Sequence, residues 1–135
     1  MRTLIILILI IFSLSYLVNY LSTSGKLDEF FDNHSDLNWV PGVEFYIATF
    51  SNLFGKYDSA LYRFQRIVEK YPKTEYAPSA QYNIARIYDS KGEKEKAIKE
   101  YEKLLNNFPN CQYTEISIKR INFLDESLLN YYDNN

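Results

Sequence analysis

The stretches GKYDSALYRFQRIVEKYP (residues 55–72) and GEKEKAIKEYEKLLNNFP (residues 92–109) carry one pattern twice. Gly55, Ala60, Phe64, Ile67, Tyr71 and Pro72 return as Gly92, Ala97, Tyr101, Leu104, Phe108 and Pro109, each 37 residues later. Upstream, Ile47 and Ala48 return as Ile84 and Ala85 at the same offset. A fixed period of this size marks a stack of helical units, which builds a binding surface rather than a catalytic pocket.

Each recurring residue has a physical reason to sit where it does. Ala48 and Ala85 lie in the first helix of a unit, where a small side chain lets the next helix come close. Gly55 and Gly92 end that helix, because glycine accepts a left-handed backbone at a helix C-terminus without a Cβ penalty. Ala60, Phe64 and Ile67 are spaced four and three apart, so they share one face of the second helix. Ala97, Tyr101 and Leu104 repeat that face. Pro72 and Pro109 follow the second helix, which proline cannot continue. The spacing predicts helix pairs near 43–54 with 57–70, and 77–90 with 94–107.

Beyond Pro109 the pattern begins again and then fades. Tyr113 aligns with Tyr76, but Asn122 stands where Ala48 and Ala85 stand, and Leu129 where the glycines stand. Ile118, Ile121, Leu124, Leu128 and Leu129 still mark one helix. Residues 114–130 are expected to form a capping helix, and 131–135 a frayed tail.

This pattern resembles the tetratricopeptide repeat over about Pro41 to Pro109. The usual repeat is about 34 residues. Here the period is longer, and the extra residues fall at Glu75, Tyr76 and Ala77. Residues 71–80, YPKTEYAPSA, are similar to the variant in bacterial envelope proteins such as the outer-membrane assembly lipoprotein and the Tol–Pal-associated cell-division coordinator. The resemblance implies an all-α array of two repeats plus the capping helix, binding a protein partner. It also implies a concave groove lined by the first helices. Its positions here are Phe45, Thr49, Asn52 and Leu53, then Tyr82, Arg86, Asp89 and Ser90, with Lys119 and Phe123 from the capping helix. Phe45, Tyr82 and Phe123 would form an aromatic stripe with Arg86 as its central charge; the alternative is that Phe45 and Tyr82 only complete helix packing. The clamp by which some such domains hold a C-terminal carboxylate is not matched by Phe45 and Thr49.

The N-terminus carries a separate signal. Residues 3–21 contain no charged residue and are mostly Leu, Ile, Val and Phe. As a helix they span about 28 Å, close to a hydrocarbon core of about 30 Å. They read as a single transmembrane helix preceding the repeats. Arg2 precedes the run and Asp28, Glu29, Asp32 and Asp36 follow, so the N-terminus is expected in the cytoplasm and the repeats outside the inner membrane. A second reading is a signal cleaved near Gly25, with small Ser22 and Ser24 ahead of it, releasing a secreted periplasmic adaptor. A third is an organelle-surface receptor whose repeats face the cytosol. A lipid anchor needs a cysteine just after the apolar run, and Cys111 is the chain's single cysteine. Residues 22–40 read as an acidic linker with a short helix near 27–31. Trp39 is expected to cap the open end of the first repeat.

About 110 residues remain after the anchor, enough for one domain, here 41–130. A net charge of −2 gives no reason to expect nucleic acid. The run of Glu93, Lys94, Glu95 and Lys96 with Lys99, Glu100 and Lys103 reads as a solvated helix face. His34 reads as a solvated side chain. Cys111 has no intrachain partner and offers no metal site. No catalytic set, phosphate loop or metal cluster is legible, so neither an enzyme nor a cofactor is expected. Two repeats are few for a continuous core, which implies partner subunits of a membrane-associated complex, or self-association.

Overall fold

A computed structural model describes residues 2–23 and 25–133, and within its helices leaves the side chains of residues 14, 15, 18, 19, 22, 23 and 127–133 undescribed. Seven helices occur among the described residues: α1 (Arg2–Thr23), α2 (Lys26–Asn33), α3 (Val40–Leu53), α4 (Tyr57–Lys70), α5 (Tyr76–Ser90), α6 (Lys94–Asn107) and α7 (Thr114–Asp133). They fall into two compact units, Met1–Val40 and Pro41–Asn135.

In the first unit, α1 is 22 residues long, or about 33 Å at 1.5 Å per residue. The apolar side chains of Leu4 to Phe12 are exposed. Among the described residues no helix is long and apolar enough to cross a membrane. Gly25 takes φ 73° ahead of α2. Phe31 of α2 is buried and meets Phe30 edge-on at 5.9 Å. His34 places Nδ1 2.8 Å from the Phe30 carbonyl, so it is held locally rather than merely solvated. Trp39, expected as a cap on the first repeat, faces Phe30 at 6.3 Å and stays 48% exposed.

In the second unit, α3 pairs with α4 and α5 with α6, and α7 packs on α6. The first helix of each pair ends on glycine, Gly55 at φ 70° and Gly92 at φ 74°. There the Gly55 amide donates to the Asn52 carbonyl and the Lys56 amide to the Ser51 carbonyl. The Gly92 and Glu93 amides repeat this on Asp89 and Tyr88. These two bonds are the Schellman pattern, which satisfies carbonyls the helix leaves open. The four alanines Ala48, Ala60, Ala85 and Ala97 are fully buried, with Phe64, Ile67, Tyr101, Leu104 and Leu124 in the same core. Pro72 and Pro109 are exposed just after α4 and α6. α7 continues to Asp133, three residues into the expected tail.

Charged groups also enter this core. Glu44 of α3 is fully buried. Its carboxylate accepts from Arg66 at 3.0 and 3.1 Å and from the Tyr71 hydroxyl at 3.4 Å. Arg63, 1% exposed, lies 3.5 Å away. In the second pair the same position is Gln81, whose amide donates to the Glu100 carbonyl at 3.0 Å and carboxylate at 2.9 Å. Glu100 is therefore a partly buried acceptor between α5 and α6. On the expected solvated face Glu95, Lys96, Lys99 and Lys103 are exposed, and Lys96 pairs with Glu93 and Lys103 with Glu100.

Candidate partner-binding groove

The groove positions of α3 divide by environment. Phe45 is half-buried, its ring 5.7 Å from Phe64 and 5.5 Å from Tyr76. Gly42, one turn earlier, makes room for Tyr76: a Cβ there would lie 2.9 Å from the tyrosine oxygen. Thr49 is exposed, and its hydroxyl donates back to the Phe45 carbonyl at 2.9 Å. Asn52 is half-buried and Leu53 is 77% exposed.

On α5, Tyr82 is half-buried. It stacks on Tyr113 with centroids 4.3 Å apart and an 11° interplanar angle, and leans on Tyr101 at 6.0 Å. Arg86 is exposed and holds its guanidinium 5.9 Å from the Tyr82 ring, the arrangement of a cation over a π-face. Asp89 takes a bidentate pair from Arg120 of α7 at 2.6 and 2.8 Å, and the Tyr101 hydroxyl donates to it at 3.3 Å. Ser90 donates to the Ile87 carbonyl. On α7, Lys119 is exposed and bonded to Glu115 at 2.6 Å. Phe123 is 58% exposed, with the Arg120 guanidinium 4.8 Å over its ring.

The electrostatics follow from these contacts. The Arg120 hydrogen bond holds the Asp89 carboxyl below its usual range, and the same bond raises Arg120. Burial, followed by the Asp89 charge, pushes the Tyr101 phenol well up, so it remains a donor at neutral pH. Arg86, Tyr82, Tyr101, Asp89, Arg120 and Phe123 thus form a chain of contacts that runs from α5 through Tyr101 of α6 to α7. Phe45 belongs to a second aromatic group with Phe64 and Tyr76.

Several members of these groups were not picked out as site residues from the sequence, Phe64 among them, which was read as the buried face of the second helix. Tyr76 and Tyr113 sit at the repeat offset, a signal that gives their equivalence but not their stacking role. Arg120 lies 31 residues from Asp89, and no local pattern pairs them. Cys111 is half-buried, with its sulfur 3.7 Å from the Thr114 hydroxyl.

Two helical hairpins with Schellman ends, stacked through buried alanines and followed by a lone first-type helix, define a helical-repeat interaction array. Residues 43–74 and 78–111 each match the tetratricopeptide repeat family, and the two units are tetratricopeptide repeats. That family is generally a non-catalytic module that mediates binding to protein partners. No curated protein matches the chain.

Proposed function

We propose that this chain is a membrane-anchored interaction scaffold, a small structural or assembly subunit of a larger cell-envelope complex, with its repeats outside the inner membrane. The family supports the binding role. The anchor rests on the uncharged apolar residues 3–21 and on the 22-residue length of α1. The envelope setting rests on the resemblance of residues 71–80 and on the charges flanking the apolar run.

One observation carries the location of the contact. Arg86 is exposed, backed by the Tyr82 ring at 5.9 Å, and lies one helical turn from the Asp89–Arg120 pair, where Phe123 leaves most of its ring open. A cation held over an aromatic face, beside a second exposed ring, suits an acidic or aromatic-bearing segment of a partner. Such Arg and aromatic groups dominate interface energies.

Affinity purification of the full chain in mild detergent, followed by quantitation of the co-purifying subunits, tests this. Tyr82→Ala with Arg86→Ala is expected to weaken partner binding by at least about 2 kcal/mol. Arg86→Ala alone gives the same direction without touching the Tyr82–Tyr113 stack. Lys94→Ala with Lys96→Ala leaves binding unchanged. Normal binding by both Arg86 variants, with circular dichroism showing intact helices, would overturn the groove assignment.

A further inference from the structure

The first helix of the array leaves open an apolar face whose central positions are buried on the other two first-type helices. On α3 this face is Val43, Tyr46 and Phe50, which fall within about 60° around the helix at 100° per residue, and Phe54 in the turn that follows continues it. Val43 is 37% exposed, Tyr46 68%, Phe50 64% and Phe54 64%. The Phe50 and Phe54 rings lie 4.6 Å apart.

The internal repeat shows what covers such a face. Val43 corresponds to Ala80 on α5 and Ser117 on α7, both fully buried. Phe50 corresponds to Ile87 and Leu124, exposed by 1% and 2%. In both copies the cover is the preceding second-type helix, α4 on α5 and α6 on α7. Leu124 sits in one cluster with Ala97 and Tyr101 of α6, with Ile98 packed against it. At α3 the residues on this face are larger and more apolar, yet open.

We propose that the outer face of α3 is a docking site for an amphipathic helix of a partner protein, seated as α4 sits on α5 and α6 on α7. The helix it fits is about 14 residues long, as α4 and α6 are. It carries a small residue and, four positions on, an aromatic one, as Ala97 and Tyr101 do. A second copy of the chain has no spare helix of this kind among the described residues. Its α4 and α6 are each already packed between two first-type helices. This site is separate from the groove: Phe50 and Arg86 differ by one position in repeat register, about 100° around the helix.

The test uses the full chain in lipid nanodiscs and a fluorescent synthetic peptide with the sequence of residues 93–109. Fluorescence anisotropy is expected to show saturable binding, absent for a peptide carrying Tyr101→Glu. Phe50→Glu in the full chain weakens binding at least about tenfold, as loss of an interface anchor does. Val43→Glu, at the other position whose equivalents are buried, gives the same loss, and Phe123→Ala in the groove gives none. Both α3 positions are exposed, so circular dichroism stays unchanged. Absence of saturable binding overturns the proposal, as does binding indifferent to both α3 variants. A Phe50→Glu variant that instead turns a sedimenting dimer into a monomer assigns the face to a second copy, which also overturns it.

Discussion

Glu44 has the highest stakes of any single residue. It is a carboxylate without solvent exposure, facing Arg63 and Arg66, and it ties α3 to α4. Removing one member of a buried ion group costs more than the group gains, because the remaining charges have already lost their water. Glu44→Ala is expected to cost about 3–5 kcal/mol. Chemical denaturation followed by circular dichroism measures it, and a loss under about 1 kcal/mol would refute the reading. Nothing local to residue 44 announces this role. Glutamate in a helix reads as a solvated residue, and its partners lie on another helix. By contrast Gly55 and Gly92 were legible, because a left-handed helix end is a demand on the backbone that glycine meets most easily.

At the scale of elements, α7 is the helix most dependent on one polar contact. It is a first-type helix without a following partner among the described residues, held by Ile121 and Leu124 and, one turn from Leu124 on the same face, by the Arg120–Asp89 pair. The folded protein lowers the Asp89 pKa from its ordinary 3.8. A lowered carboxylate pKa contributes stability that is full above the unfolded value and disappears as pH falls through the folded one. The stability difference between the wild type and Asp89→Asn should therefore be constant from pH 7 to about 5 and shrink below the ordinary value of 3.8. Urea unfolding at a series of pH values checks this; a difference already lost at pH 6 would assign it to another group. Arg120 is partly exposed, so salt weakens the pair. The extents of α4 to α6 were readable from glycine, proline and the apolar spacing, whereas α3 begins at Val40, three residues before the expected start. The extension of α7 to Asp133 was not, since its last turns carry no stop signal before Asn130.

For the whole molecule, the prediction concerns placement. With residues 3–21 across the bilayer, alkaline carbonate should leave the full chain in the membrane fraction. Protease added outside the inner membrane should digest residues 41–130 while the N-terminus stays protected. Recovery of a soluble form beginning near Gly25 would favour the secreted adaptor, and digestion only from the cytoplasmic side would reverse the orientation. The apolar length and flanking charge that motivate this were plain in the sequence. The contacts of the proposed groove residues were legible in part. The positions of Tyr82 and Arg86 followed from the repeat register, but their backing by Tyr113 and the diversion of Asp89 into a pair with Arg120 did not.

The sequence alone determined the period, the pairing of helices, the glycine turns and the buried alanines, because each is written in residues a few positions apart and repeated 37 residues later. The tertiary structure alone decided which polar groups enter the core and which apolar ones stay out. Glu44 with Arg66, Gln81 with Glu100, and Asp89 with Arg120 join residues 22, 19 and 31 apart. Their contacts exist only where two helices cross at a given register, which no local spacing encodes. Tyr46 and Phe50 stay open although both are apolar, because a side chain is buried only where another helix covers it.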